Sequence, residues 1–296
     1  MSTVDQLLRE GTRRLGGLGG SPRLDAELLL GHALGQRREE LYRSLFSEVP
    51  AAGEETYTAL LAEREARRPV AQLLGKRDFW SFTLTVSNAT LIPRPETEEL
   101  VARALARIPA DASWTVADLG TGSGAIALAI ARERPACKVL ATDLSKPALA
   151  VARRNAKALG VKNIAFRQGY WFTPLPRPDS IKWRFNMLVS NPPYIAAAEW
   201  ADTDPELGFE PRLALDGGRD GLAAYRVLTD GAPRYLRPGG WLLVEHGYEQ
   251  GPDVQDLMKR AGFQHVNTWA DLAGRPRVTE GQVGALPPGP GSHDAR

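Results

Sequence analysis

The chain has 296 residues, 43% of them hydrophobic and 24% charged, with a net charge of +2. This suits one large globular domain or two ordinary ones. No apolar run approaches the roughly 18 residues of a membrane helix, and the charged N-terminal stretch MSTVDQLLREGTRR lacks the apolar segment of a signal peptide. Cys137 is the only cysteine, which excludes an intrachain disulfide and argues against a cysteine metal site; no metal is expected, and a reducing, cytoplasmic setting fits. The weak net charge neither demands nor excludes a nucleic-acid partner.

Residues 1–75 read as a small helical domain. After Asp25, AELLLGHALG places Leu28, Leu29, His32 and Leu34 at near-helical spacing, with Gly35 as a stop. EETYTALLAEREARR puts Tyr57, Leu60 and Leu61 on one side of a second helix that Pro69 closes. Residues 76–95 read as a β-hairpin connector: Phe82, Leu84 and Val86 alternate with polar residues, and Ser87-Asn88 offers turn chemistry. Pro93 and Pro95 hold the following segment extended, and a helix begins at Thr97 or Glu96 with Leu100, Val101, Ala104, Leu105 and Ile108 as its apolar stripe.

From 96 to 282 strands and helices alternate. The strands expected are Trp114–Leu119, Lys138–Thr142, Ile164–Gln168, Phe185–Ser190, Trp241–Glu245 and Gln264–Thr268. Helices are expected at Ala125–Arg134, Lys146–Leu159, Leu222–Tyr235 and Pro252–Ala261. This order predicts an α/β domain with a mostly parallel sheet covered on both faces. Residues 283–296, rich in Pro and Gly, read as a disordered tail.

Three stretches carry chemistry, each following a strand. DLGTGSG contains Asp118, Gly120, Thr121, Gly122, Ser123 and Gly124 before a helix. Such glycines let backbone approach a ligand, although a tight turn alone would also use them, and the spacing fits neither a P-loop nor G-x-G-x-x-G. Asp143 ends the next strand, where an acid suits both hydroxyls of a ribose; it could equally cap the following helix with Ser145. The third stretch is VSNPPYI. Pro192 and Pro193 stiffen the loop, Asn191 offers an acceptor and a donor, and Tyr194 offers a flat face. Together they can grip a planar NH₂ group, with two acceptors for its hydrogens. Such a nitrogen is a poor nucleophile, and acceptors placed for a pyramidal nitrogen favour the transition state.

Asp118–Gly124 followed by Asp143 resembles the class I S-adenosylmethionine-dependent methyltransferases, which implies a seven-stranded Rossmann-like domain with S-adenosyl-L-methionine as cofactor. N-P-P-Y is also found in adenine-N6 and cytosine-N4 nucleic-acid methyltransferases. The wider set is more specific: IPRPET at 92–97, WF at 171–172, SNPPYI at 190–195, FEPRLAL and EHGYEQG, in this order. It resembles the protein-(glutamine-N5) methyltransferases that modify peptide chain release factors. A sister family acting on a ribosomal protein shares the architecture, but Pro95-Glu96-Thr97 favours the release-factor family. The resemblance implies methylation of the glutamine in the GGQ loop of release factors 1 and 2, by a monomer that contacts neither nucleic acid nor membrane. It implies that Gly120–Gly124 and Asp143 bind the cofactor, that Trp171 lines the adenine pocket and that Asn191 stands between cofactor and target amide. Pro192 and Tyr194 would then act with Asn191 in catalysis, and Pro193, Leu91 and Ile92 would line the glutamine pocket.

The chain departs from that family at Tyr170, where a carboxylate usually precedes the aromatic residue, which puts cofactor affinity in question. TPLPRPDSIKWRF, which contains 174–184, reads as carrying a surface insertion. Tyr170 also leaves open a cofactor-binding module without catalysis. His246 reads as a structural histidine rather than a proton acceptor. Phe209-Glu210-Pro211 reads as a loop that shapes the substrate entrance.

Overall fold

The computed structural model describes residues 2–179 and 184–284. The expected tail falls outside these residues from 285 onward, as does the 180–183 part of the expected insertion. Two compact units emerge. One comprises Met1–Arg77, Val86–Asn88 and Asp204–Glu210, and the other comprises Asp78–Thr85, Ala89–Thr203 and Pro211–Arg296.

The described residues of the first unit include the α-helices α1 (Val4–Leu15), α2 (Pro22–Leu34), α3 (Arg38–Arg43), α4 (Ala51–Glu65) and α5 (Val70–Leu74). Thr3 and Gln6 form a reciprocal capping box at the start of α1, each side chain accepting from the other's backbone N–H. Gly35 ends α2 in the left-handed conformation at φ 65°. The inward stripe of α2 is Ala26, Leu29 and Leu30 rather than the one expected around His32, which is exposed. These residues pack with Leu8, Leu15, Leu41, Tyr57 and Leu61. The segment Asp204–Glu210, distant in sequence, joins this unit through polar contacts. Arg64, 5% exposed, bridges Asp25 at 2.9 Å and Glu206 at 2.6 Å, and Gln72 Nε2 donates to the Phe209 carbonyl. Phe209 and Glu210 therefore belong with the helical unit, while Pro211 falls in the second unit.

The hairpin is shorter and earlier than expected: β1 (Lys76–Phe79) pairs with β2 (Phe82–Thr85). Its turn lies at Trp80-Ser81, with Trp80 at φ 56°, and not at Ser87-Asn88.

The second unit is built on a seven-stranded sheet in the order β5-β4-β3-β6-β7-β9-β8. Its strands are β3 (Thr115–Leu119), β4 (Lys138–Asp143), β5 (Ile164–Gln168), β6 (Phe185–Ser190), β7 (Leu236–Glu245), β8 (Phe263–Ala270) and β9 (Pro276–Val283). Only β9 runs against its neighbours. It is absent from the strands expected above, and β7 begins five residues before the expected Trp241. The helices are α6 (Thr97–Arg107), α7 (Ala125–Glu133), α8 (Lys146–Ala158), α9 (Ala223–Tyr235) and α10 (Gly251–Arg260).

Successive strand residues point to opposite faces, and the two cores follow that alternation. Val116, Met187, Val189, Trp241 and Leu243 pack with α6 and α7. Ala117, Leu188, Leu242 and Val244 pack with α9 and α10. The chain runs outward from β3 through β4 and β5, then returns to place β6 on the other side of β3. Ligands of open α/β sheets bind at such a reversal, outside the carboxyl ends of the strands.

Candidate active site

The glycine loop leaves β3 at this reversal. Gly120 and Thr121 both donate to the Thr142 carbonyl, at 2.9 and 2.8 Å, so the loop is pinned to the end of β4. Gly120 and Gly122 take φ of 80° and 56°, a region costly for any residue with a side chain. Asp118 lies beneath the loop, fully buried, and Thr121 Oγ1 donates to its Oδ2 at 2.6 Å. Burial pushes its carboxyl up to about 7, against the lowering effect of hydrogen bonds from Thr121 and the Ala127 backbone. Asn155 holds the loop from the side: its Nδ2 donates to the Ser123 carbonyl at 2.9 Å and to the Thr85 carbonyl at 3.0 Å.

Asp143 accepts from Gly122 N through Oδ2 and from Ser145 N through Oδ1, both at 2.8 Å. The cap of α8 is Ser145 itself, whose hydroxyl accepts from Ala148 N. Each oxygen of Asp143 thus takes one backbone hydrogen and keeps a lone pair. Burial raises its carboxyl above the usual range.

These elements enclose a cavity of about 340 Å³, in the size range of small-molecule sites. Of the residues singled out from sequence, its wall includes Leu91, Gly120, Thr121, Gly122, Ser123, Asp143, Trp171, Asn191, Pro192 and Pro193. Three others lie behind the wall. Gly124 caps α7, where an added Cβ would meet Leu128 and Ala152 at 3.0 and 3.3 Å. Ile92 is 2% exposed and stands in the interior. Tyr194 packs against the core beside α9 and α10; its carbonyl accepts from Gln250 Nε2 at 3.0 Å, and burial pushes its phenol up to about 12, so it stays neutral. Tyr170 reaches the wall half exposed, edge-on to Trp171 with ring centroids 5.9 Å apart.

Asn191 is the most telling residue. Its Nδ2 donates to Thr97 Oγ1 at 3.2 Å, while its Oδ1 is buried and has no hydrogen-bond partner. An unpaired buried acceptor costs free energy, and this one belongs to a cavity-wall residue, where a ligand N–H would satisfy it. The loop behind it is stiff: Ser190 Oγ donates to the Leu119 carbonyl at 2.6 Å, and Ile195 N and Gly217 N exchange backbone bonds across Leu215 and Ile195. Through that pairing Pro211, Leu213, Ala214 and Asp216 reach the wall. The sequence carries no local signal for this, since the contact depends on a chain that returns after more than a dozen residues. Thr97, expected only as a helix cap, is a wall residue, and the N-cap of α6 is Glu96 without a side-chain bond.

His246 is structural, as expected. It is fully buried, with Nδ1 2.8 Å from the Gly247 carbonyl and Nε2 2.8 Å from Thr279 Oγ1, and burial lowers its pKa. Among the described residues no group of three or more His, Cys, Asp or Glu could hold a metal ion, and no helix is long and apolar enough to cross a membrane.

The glycine loop and the acid at the reversal of a seven-stranded sheet define a class I methyltransferase domain. Residues 110–279 match the methyltransferase domain family and residues 6–75 the PrmC N-terminal domain family. The release factor glutamine methyltransferase of Xylella fastidiosa strain 9a5c is 51% identical over 260 residues, spanning 88% of this chain and 93% of that protein. The protein of the same name from Salmonella typhimurium is 44% identical over 264 residues, spanning 88% and 92%. A solved methyltransferase structure from Pyrococcus furiosus shares the fold, with a TM-score of 0.50 at 16% identity over 68% of this chain and 88% of that one. The chain belongs to the family of release factor glutamine methyltransferases.

Proposed function

We propose that this protein transfers a methyl group from S-adenosyl-L-methionine to the side-chain amide nitrogen of the glutamine in the GGQ loop of peptide chain release factors. The observation that carries this reading is the buried, unpartnered Oδ1 of Asn191 on the cavity wall. The same wall offers a glycine loop and a carboxylate with spare lone pairs, so the residues present fit the cofactor. Bound there, the cofactor supplies an electrophilic methyl group on a sulfonium.

The chain's own groups do the rest. Gly120–Ser123 let backbone run close to the methionine part, Asp143 accepts from the ribose hydroxyls, and Trp171 flanks the adenine. Asn191 Oδ1 and the Pro192 carbonyl accept the two hydrogens of the target amide. Acceptors fixed for a pyramidal nitrogen favour the transition state over the planar ground state. The nitrogen turns acidic once methylated, so its proton leaves without a strong base. Pro193 and Leu91 border the glutamine, while Gly124, Ile92 and Tyr194 support the wall from behind. The segment 1–75 recognises the release factor, 76–95 connects it, and 96–282 carries out the transfer. Release factors 1 and 2 are both substrates, and the enzyme works as a cytoplasmic monomer that contacts neither nucleic acid nor membrane.

The test is methyl transfer from radiolabelled S-adenosyl-L-methionine to release factors 1 and 2, each with its GGQ glutamine intact or changed to alanine. Label is expected only on the intact proteins, and equal labelling of the alanine variants would reject the substrate.

A further inference from the structure

Glu245 ends β7 and is 1% exposed, yet it is not part of the cavity wall. Three placements bring its side chain behind Asn191. First, β6 and β7 run parallel with Ser190 opposite Val244, so the next residues along are Asn191 and Glu245. Second, Val189 and Leu243 both face the core beneath α6, and residues two further on in a strand share that face. Third, α6 begins there with Thr97, whose hydroxyl meets Asn191 Nδ2. Burial pushes the Glu245 carboxyl up, while Thr97 and Asn191 both favour its charged form, and Oε2 of that group has no partner.

An asparagine amide is nearly symmetric in shape. Turned by half a rotation about its last bond, Asn191 would present N–H to the cavity, and a donor would face the N–H of the substrate. Thr97 cannot prevent this, because a hydroxyl both donates and accepts. An ionised carboxylate accepts only, so at a pH where Glu245 is charged, oxygen turned toward it would face oxygen.

We propose that Glu245 is a positioning residue for methyl transfer: its carboxylate holds the nitrogen end of the Asn191 amide and so keeps Oδ1 turned into the cavity. This rests on the reading of Asn191 Oδ1 as the acceptor for the target amide. It adds to that reading a residue outside the wall, one that acts on orientation rather than on binding.

The experiment follows steady-state methylation of a release factor at pH 8 for the intact protein and for Glu245→Met, Glu245→Gln and Asn191→Ala. Losing a hydrogen bond to a charged group corresponds to roughly a 10- to 100-fold change. Glu245→Met is expected to lower kcat by at least about 10-fold, while KM for cofactor and release factor stays within about two-fold. Glu245→Gln, whose carbonyl can still accept from Asn191 but whose amide can turn either way, should recover part of that loss and leave kcat several-fold below the intact rate. In the Asn191→Ala background, Glu245→Met should have no further effect, as for two residues acting through one contact. An intact rate in Glu245→Met, a loss that Glu245→Gln does not lift, or an equal loss in the Asn191→Ala background would each overturn the proposal. If Glu245→Met does not fold, the Glu245→Gln enzyme serves alone: its amide can turn either way, so a several-fold fall in kcat at unchanged KM is expected, and an intact rate overturns the proposal. Absence of transfer by the intact enzyme would remove the proposed substrate and this role together, whereas transfer indifferent to Glu245 removes only the role.

Discussion

Replacing Asn191 with alanine removes a buried acceptor on the cavity wall that lacks a partner, and its consequences for rate and stability can be separated. Its Oδ1 makes no bond within the protein, so its loss costs the folded chain nothing in hydrogen bonding. Its Nδ2 does make a bond, to Thr97 Oγ1, and Asn191 also favours the charged form of Glu245. Leaving those partners short of a donor costs about 1–3 kcal/mol, a fall in Tm of roughly 2–12 °C for a chain of this size. The catalytic loss is larger. An acceptor aimed at a reacting nitrogen resembles an oxyanion-hole donor in its effect, and removing one such group lowers kcat by about 10²- to 10³-fold. Release factor and cofactor should bind within a few-fold of normal, since the wall keeps its glycine loop, Asp143 and Trp171. The assay pairs single-turnover methylation with a melting curve on the same preparation. An Asn191→Ala enzyme that turns over at the intact rate would refute the mechanism, whatever its Tm.

Three further predictions test other parts of the molecule. Tyr170→Asp, which places an acceptor beside Trp171 on the wall, should tighten cofactor binding by roughly 10-fold in calorimetry, and unchanged affinity would mean that the adenine edge lies elsewhere. Arg107→Met should lower stability by about 3 kcal/mol without changing kcat: Arg107 bonds the buried Glu280 at 3.1 Å and stacks on Trp241 at 4.0 Å, and neither Arg107 nor Glu280 is a cavity-wall residue, so a loss of kcat in fully folded samples would contradict a purely structural role. Glu245→Gln should become more stable relative to the intact protein as pH rises. The Glu245 carboxyl moves from the ordinary 4.5 up to about 7 on folding, because burial outweighs the hydrogen bonds of Thr97 and Asn191 and the field of Arg277, with Glu96 adding to the rise. The stability linked to that proton is fully present below the ordinary value and lost as pH climbs through about 7. Urea unfolding at pH 5 and pH 8 should therefore show a variant advantage that grows by on the order of 1–3 kcal/mol, and an equal difference at both values would count against a buried, ionising Glu245.

The parts of this protein legible in its sequence are those whose signal is local. An apolar strand followed by glycines, by an acid or by Asn-Pro-Pro declares both its own geometry and its end, so the loop at Gly120–Gly124, Asp143 and Asn191 could be placed at one sheet edge from strand order alone. The strand β9 escaped because PRVTEGQV carries a proline, a glycine and two charges, yet four of its residues are buried. Its polar groups are satisfied from elsewhere: Glu280 by Arg107, and Thr279 by His246 and by Thr268 at 2.7 Å. The hairpin turn was misplaced for the opposite reason. Ser87-Asn88 has turn chemistry, whereas the real turn uses Trp80 at positive φ, which no propensity favours. The segment 204–210 joined the helical unit through Arg64 and Glu206, a pairing that no window of sequence contains.

Glu245 marks the boundary between these cases. At the end of WLLVE it reads as the polar stop of a buried strand, next to a histidine that draws more attention. What distinguishes it is register: a strand ending in Ser-Asn and one ending in Val-Glu, parallel and adjacent, set Asn191 and Glu245 side by side on the face where α6 starts. If the proposal holds, a motif such as N-P-P-Y names the group that meets the substrate but not the group that decides which way it points. That second residue lies on a different strand, and only the sheet brings the two together. The orientation of a reactive amide is thus a property of tertiary structure even where the amide itself is evident in the sequence, and a catalytic motif moved to a sheet without its neighbouring carboxylate would be expected to bind its substrate and turn it over slowly.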